Sequence, residues 1–132
     1  MSDEARLWAF LPVGYLLTVC VEIPVLLVGL RAHHPLSRRL AAGFWLTACT
    51  YPVVVVVLPS LVDTGHSRAA YLLLAETFAP VAECALFWFA FVRPDPAVRG
   101  SAWRDLGAIT LANLLSFGVG ETMVRMGMFA SW

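Results

Sequence analysis

The chain alternates long apolar segments with short polar ones. The apolar segments run over 7–30, 40–62, 69–92 and 106–124. As a helix with a rise of 1.5 Å per residue, each is long enough to cross the roughly 30 Å apolar core of a bilayer. The short connections make neighbouring helices antiparallel. The pattern therefore predicts an all-α, polytopic membrane protein in which residues 1–132 form a single membrane domain, a bundle of four transmembrane helices.

Composition excludes an ordinary soluble domain. Of the 132 residues, 60% are apolar and 14% are charged, whereas soluble domains average about 45–50% and about 25%. A soluble domain of this size has too much surface to hide so many apolar side chains. We therefore expect the lipid bilayer to surround the helices. The net charge is zero and gives no indication of a nucleic-acid partner.

The arginines predict the orientation of the chain. All nine basic residues are arginine, and basic residues accumulate in cytoplasmic loops. Arg6 and Arg68 lie on one predicted side, with Arg125 near the end of the last helix. We therefore expect a multi-pass protein of the inner (cytoplasmic) membrane with both termini outside. The arginines that flank the first and third connections, on the predicted cytoplasmic side, are Arg31, Arg38, Arg39, Arg93, Arg99 and Arg104.

Polar side chains interrupt each apolar segment at a similar depth. Counted from the nearest arginine of the first or third connection, Glu22, Thr47, Glu83 and Asn113 all lie eight to ten residues into the segment. That depth is roughly 12–15 Å, so the four residues are predicted to share one layer. An ionised carboxylate there costs at least about 2.5–3.5 kcal/mol, and burial favours its neutral form. We therefore expect Glu22 and Glu83 to bind and release a proton, or to exchange it for a cation.

The two predicted hairpins resemble copies of each other. Thr47 aligns with Asn113 at a shift of 66 residues, and Glu22 aligns with Glu83 at a shift of 61. This favours two tandem hairpin repeats related by an axis normal to the membrane, which makes them parallel copies. The alternative is that any two membrane helices share such a pattern. The hydroxyl groups that follow one turn later in the second and fourth helices, and complete the predicted ion-, proton- or ligand-binding layer, are Thr50 and Ser116.

Further acids lie nearer the predicted outer side. Glu76 precedes Glu83 by two turns on the same helix face, about 10 Å closer to the outside. Such a stepped pair suits a path for protons or cations, although Glu76 could instead reach an outer vestibule. Glu121 and Arg125 are four residues apart, in the order that favours an ion pair on a helix. We interpret this outer ion pair as an anchor rather than as part of the chemistry.

Signatures of enzymes, metals and cofactors are missing. The sequence contains no G-x-S-x-G or H-E-x-x-H motif and no glycine-rich phosphate loop, so we assign no catalytic residue and no cofactor. His33 and His34 fall in the first connection and His66 in the second. Neither loop supplies enough ligands for a metal. We therefore assign no metal site and interpret these histidines as solvated residues at the membrane interface.

The polar pattern resembles that of small four-span membrane proteins of bacteria and archaea. Their pattern has a glutamate in the first helix, N-x-x-T-x-P in the second, two glutamates in the third and N-x-x-S in the fourth. Thr47 stands where that pattern has asparagine. The resemblance implies a four-span fold with the same polar layer, and it implies no activity. The other residues that carry it here are Glu22, Thr50, Pro52, Glu76, Glu83, Asn113 and Ser116.

Different classes of function fit this sequence. The first is a proton- or cation-handling membrane protein, a transporter, channel or subunit of one, that uses the intramembrane carboxylates Glu22 and Glu83. The alternative is a structural or accessory assembly subunit, because polar layers also hold helices together, at about 0.6–2 kcal/mol per hydrogen bond. A membrane-embedded lipid enzyme using Glu76 and Glu83 is less favoured. Four helices leave little room for a pore, so we expect a homo-oligomer or a larger membrane complex.

Overall fold

Every long apolar segment of the chain is helical. The computed structural model describes residues 3–62 and 67–128. Across these residues, four helices are long and apolar enough to cross a membrane. The predicted all-α architecture with four such helices is confirmed. In chain order the helices are α1 (Asp3–Gly29), α2 (Leu36–Leu61), α3 (Arg68–Val92), the short α4 (Pro96–Arg99) and α5 (Ala102–Arg125).

The long helices form an antiparallel bundle. Both α1 and α3 pack against α2 and α5, so a side chain on the inner face of any long helix can reach the two helices beside it. We refer to the two ends of the bundle as the Arg31 end and the Arg68 end. The Arg31 end is formed by residues 30–35 and 93–101, and the Arg68 end is where α3 begins and α5 ends.

The surface of the bundle is apolar and part of its interior is polar. Val28, Leu73 and Trp103 are 88%, 72% and 71% exposed, whereas Glu22 and Glu83 are both 2% exposed. Exposure of so large an apolar surface to water would be unfavourable, whereas lipid surrounds it with apolar chains. The chain is therefore an integral, multi-pass membrane protein.

Two of the helices contain a π-helical turn. Pro52 has no backbone N–H to donate, and the residues directly after it, Val53–Val57, form the first such turn. The second, Trp88–Val92, ends α3. A π-helical turn holds one more residue than an α-helical turn, and such turns are frequent at functional sites. The turn in α2 begins three residues after Thr50, one of the polar residues predicted to form the buried layer.

Two glycines allow the helices to approach closely. A Cβ atom at Gly29 would lie 2.7 Å from the Cβ of Ala108 on α5, and one at Gly43 would lie 2.5 Å from Cγ1 of Ile23 on α1. Small residues at such positions let the backbones of membrane helices pack together. These contacts hold α1 against both of its neighbours.

Gly29→Ala is expected to push α1 away from α5 and to lower the free energy of unfolding by about 1–3 kcal/mol, the usual cost of overpacking. Thermal unfolding of the purified protein in detergent measures the effect. Gly107→Ala is the matched control, because a Cβ there meets nothing within 4 Å. Equal unfolding temperatures for the two variants would contradict the close approach.

Candidate functional site

Glu22 lies on α1 and is buried. Its Oε2 accepts a hydrogen bond of 2.6 Å from Thr47 Oγ1 on α2, and its Oε1 accepts one of 2.9 Å from Ser116 Oγ on α5. Because α1 packs between α2 and α5, a carboxyl group on its inner face reaches both helices. Glu22 therefore joins three of the four long helices.

Glu83 makes the corresponding contacts from α3. Its Oε1 accepts a hydrogen bond of 2.6 Å from Thr50 Oγ1, and its Oε2 accepts one of 2.7 Å from Asn113 Nδ2. The side chain is as deeply buried as that of Glu22. Like Glu22, it is hydrogen-bonded to both α2 and α5. Two acids thus share one buried region between α2 and α5.

These contacts bring most of the predicted site residues into one hydrogen-bonded layer, which we call the carboxylate layer. Its donors are hydroxyl and amide groups, and among the described residues no arginine or histidine side chain hydrogen-bonds to either carboxyl group. Both acids are therefore held by neutral partners alone. The members of the carboxylate layer are Glu22, Thr47, Thr50, Glu83, Asn113 and Ser116.

Each donor of the layer also has an acceptor in its own helix. Thr47 Oγ1 lies 2.8 Å from the carbonyl oxygen of Gly43, and Thr50 Oγ1 lies 3.1 Å from that of Leu46. A hydroxyl group has one proton, so it can point either to the carboxyl group or to the helix. The donors consequently keep a partner when a carboxyl group turns away. The remaining pairs of this kind are Asn113 with Ile109 and Ser116 with Asn113.

A cavity of about 270 Å³ leads from the carboxylate layer toward the Arg68 end, and all four long helices line it. Glu76 lies on its wall, as expected from its position two turns before Glu83. Glu76 forms no hydrogen bond or ion pair with any residue the structure describes. The cavity therefore has one free carboxyl group between its mouth and the layer.

Aromatic side chains form part of the cavity wall. Tyr51, Tyr71 and Phe117 all line it. Tyr71 is fixed by a hydrogen bond of 3.1 Å from its hydroxyl group to the carbonyl oxygen of Val54. Tyr51 packs against α1, where Gly14 leaves room for its hydroxyl group, because a Cβ at Gly14 would collide with it. The cavity wall between the carboxylate layer and the Arg68 end is thus largely apolar and aromatic.

An ion-pair cluster lies at the Arg68 end of the cavity. Arg125 Nε donates to Glu121 over 3.0 Å, which is the pair expected from their spacing, and Arg68 Nη2 adds a second contact of 2.8 Å. The spacing within α5 gave no signal for Arg68, which belongs to a different helix. Both arginines are more than half exposed, and ion pairs of this kind contribute about 0–1 kcal/mol.

No family model, curated protein or solved structure matches this chain. Function therefore has to be inferred from the chemistry of the site itself.

Below the carboxylate layer, toward the Arg31 end, the interior is closed. Four large apolar side chains are almost fully buried on this side of the layer. Three of them lie four residues from Glu22, Glu83 or Asn113, and the one on α2 lies four residues from Thr50 and next to Thr47. One turn is about 5.4 Å, so they fill the bundle directly below the two acids. We call them the apolar plug, and they are Leu26, Leu46, Phe87 and Ile109.

A second polar cluster closes the Arg31 end, and sequence reasoning missed it. Asp105 is fully buried, and its carboxylate accepts hydrogen bonds from Arg31 Nε at 3.0 Å and Nη2 at 2.7 Å. The backbone N–H of Arg31 adds a third at 3.0 Å. Asp105 was predicted to lie outside the fourth span, but α5 begins at Ala102 and carries it in its first turn. The depth count could have found the pair, because Glu22 to Arg31 and Asn113 to Asp105 are similar distances along the chain.

The interpretation of His34 as a solvated residue is wrong. His34 is fully buried, and its Nε2 donates to Asp105 over 3.0 Å while its Nδ1 lies 3.3 Å from Arg38 Nη1. The tautomer with its proton on Nε2 satisfies both contacts. Arg39 completes the turn by donating to the carbonyl oxygen of Leu27 over 2.8 Å. The loop folds back under the bundle, which is why a sequence-based count of loop residues misplaced His34.

His33 behaves as expected for a surface residue, whereas His66 lies outside the described residues. His33 is exposed, and partial desolvation, followed by the proximity of the His34 ring and the Arg31 guanidinium, lowers its pKa. The ligand atoms of His33, His34 and Asp105 lie within 4.8 Å of one another. Arg31 already neutralises Asp105, however, and a metal ion there would face that guanidinium. The geometry favours a structural cluster over a metal centre.

Proposed function

We propose that this is a proton- and cation-handling membrane protein, a transporter, a channel or a subunit of one, with Glu22 and Glu83 as its exchangeable groups. The observation that carries the proposal is a pair of buried carboxyl groups held only by neutral donors at the end of a cavity. With no cationic side chain bound to it, a carboxyl group at this depth is stable when protonated. It becomes charged when a cation takes the place of the proton. Proton and cation are therefore alternative occupants of the site.

The donors of the carboxylate layer support such an exchange. When a carboxyl group loses its proton, the hydroxyl proton of Thr47 or Thr50 can turn from its own helix carbonyl to the carboxylate, forming a stronger, charge-assisted hydrogen bond. When the proton returns, the hydroxyl group can turn back. The layer thus stabilises both states without moving a helix.

The shape of the interior supports access from one side. The cavity runs from the Arg68 end past Glu76 to the carboxylate layer, and the apolar plug closes the other side. The excess of arginines around the Arg31 end favours the cytoplasm for that side, so we propose that the cavity faces the outside. Movement of a cation across the membrane would then require the plug to open.

The exchange of partners between the two hairpins supports the parallel repeat. Glu22 binds Thr47 of its own hairpin and Ser116 of the other. Glu83 binds Asn113 of its own hairpin and Thr50 of the other. A twofold axis normal to the membrane would produce this reciprocal arrangement. We propose that such an axis passes between the two acids.

Flux through lipid vesicles containing the purified protein tests the proposal. An imposed gradient of Na⁺, K⁺ or an organic ammonium ion is expected to drive protons in the opposite direction, read by a pH-sensitive dye inside the vesicles. The double variant Glu22→Gln with Glu83→Gln is expected to lose this flux, because an amide cannot exchange a proton for a cation.

The matched control for this measurement is Asp95→Asn, the same change from acid to amide in an exposed loop far from the cavity. It is expected to keep the flux of the native chain. Flux that persists in the double variant would contradict the proposal. No flux of the native chain under any gradient, together with a larger membrane protein that copurifies with it, would favour an accessory subunit instead.

A further inference from the structure

The cavity is larger than a bare metal ion needs. An apolar protein cavity of about 150 Å³ takes one benzene molecule, so the roughly 270 Å³ available here corresponds to a ligand of about ten non-hydrogen atoms. A metal ion also requires several oxygens that converge on one point within about 2.0–2.6 Å. Here each carboxyl oxygen of Glu22 and Glu83 is instead turned toward a donor on a neighbouring helix. The space suits a molecule better than an ion.

The charge of the cavity selects a cation. Among its described lining residues are Glu22, Glu76, Glu83 and Glu121 but only one basic residue, Arg68, and Arg68 is already paired with Glu121. An anion would meet acids with no free basic partner. A cation would find carboxylates at the closed end and the free carboxyl group of Glu76 on the way.

The wall selects a cation with an apolar body. Tyr51, Tyr71 and Phe117 line the cavity between its mouth and the carboxylate layer. Aromatic rings attract positive charge through their faces and also bury apolar surface. A small hydrated ion gains little from such a wall, whereas an organic cation uses both properties.

We propose that the ligand is an amphipathic organic ammonium ion, bound with its charged nitrogen at Glu22 and Glu83 and its apolar body against Tyr51, Tyr71 and Phe117. The proposal rests on the proposed function, because it names the cation that exchanges with the proton. Glu76 receives the ligand as it enters from the Arg68 end and passes it to the deeper acids. The size limit of about ten non-hydrogen atoms favours monoamines over larger polyamines.

Calorimetric titration of the native chain in detergent tests the ligand class, with benzylammonium as the probe and benzyl alcohol as its uncharged equivalent of nearly the same shape. Benzylammonium is expected to bind and benzyl alcohol is not. Phe117→Leu is expected to weaken benzylammonium roughly 2- to 30-fold, the range of a lost cation–π contact. Phe44→Leu makes the same change on the outer surface of α2, where Phe44 is 48% exposed, and is expected to leave binding unchanged.

The outcomes separate this inference from the proposed function. Both proposals are supported if benzylammonium binds the native chain, if Glu22→Gln with Glu83→Gln abolishes this binding, and if Phe117→Leu weakens it while Phe44→Leu does not. A native chain that exchanges protons for Na⁺ or K⁺, yet binds benzylammonium no better than benzyl alcohol, overturns the ligand class and leaves the proposed function standing. Equal effects of Phe117→Leu and Phe44→Leu overturn the aromatic wall. If the native chain shows no benzylammonium binding and no flux, both proposals are overturned.

Discussion

Glu22→Gln or Glu83→Gln is expected to weaken cation binding roughly 10- to 150-fold while the bundle stays folded. An interaction with a charged group contributes about 1.5–3 kcal/mol, and every 1.4 kcal/mol is a factor of ten in affinity. The two acids line one cavity. Loss of either one is therefore expected to weaken the site, and the double variant is expected to lose binding.

The fold is expected to survive because the donors have other partners. Thr47 and Thr50 reach carbonyl oxygens of their own helix, and a glutamine side chain still offers an oxygen to accept their hydrogen bonds. The loss in free energy of unfolding is expected to stay within about 2 kcal/mol, the range for hydrogen bonds between membrane helices. Calorimetric binding and thermal unfolding, measured on the same preparations with Asp95→Asn alongside, separate the two effects. Variants that unfold and lose binding together would indicate a purely structural layer.

Asp105→Ala is expected to lower the free energy of unfolding by about 3–5 kcal/mol, because it leaves a buried charge without its partner. Arg31 is only 10% exposed and directs its guanidinium at Asp105, and buried His34 loses the same acceptor. The cluster fastens the first connection to the beginning of α5. Thermal or denaturant unfolding in detergent measures the effect.

Asp95→Ala is the matched control for this substitution. Asp95 accepts a hydrogen bond from the backbone of Ala97 at the beginning of the short helix α4. Its loss is expected to cost about 0.5–2 kcal/mol, as for other helix caps. Asp105→Asn keeps the shape of the side chain and is expected to fall between the two alanine variants. If Asp105→Ala and Asp95→Ala unfold alike, the Arg31 end is not held by the buried cluster.

The sequence predicts the four long helices and the common depth of four polar residues of the carboxylate layer. Runs of apolar residues with the length of a membrane span fix the helices. Because the rise per residue is constant, counting from the arginines put Glu22, Thr47, Glu83 and Asn113 at one depth. The structure places these four side chains together in the interior. Depth along a helix is a local property, and a sequence reports it directly.

Properties that depend on which helices are neighbours could not be predicted. Ser116 binds Glu22 and Thr50 binds Glu83, because both acids lie between α2 and α5. Nothing in the spacing along one helix shows that exchange of partners. The cavity likewise depends on how the four helices that line it pack together.

The Arg31 end was misjudged for another physical reason. Loop residues next to a span are usually solvated, and the arginines there predict the orientation of the chain. In the structure, the loop folds under the bundle and buries His34 with Asp105. Pairing with Arg31 makes that burial possible, since a buried charge needs a partner. Arginine at this end therefore both predicts the orientation of the chain and, as Arg31, pairs with the buried Asp105.

Proton release on cation binding is the most direct measurement of what Glu22 and Glu83 do. Purified protein in weakly buffered detergent solution is titrated with benzylammonium, Na⁺ or K⁺, and the pH of the solution is followed. If cation and proton compete for these carboxyl groups, the native chain releases protons as it binds, its affinity falls as the pH is lowered, and Glu22→Gln with Glu83→Gln releases none. Cation binding without proton release, or equal release from the double variant, would contradict an exchange at this site.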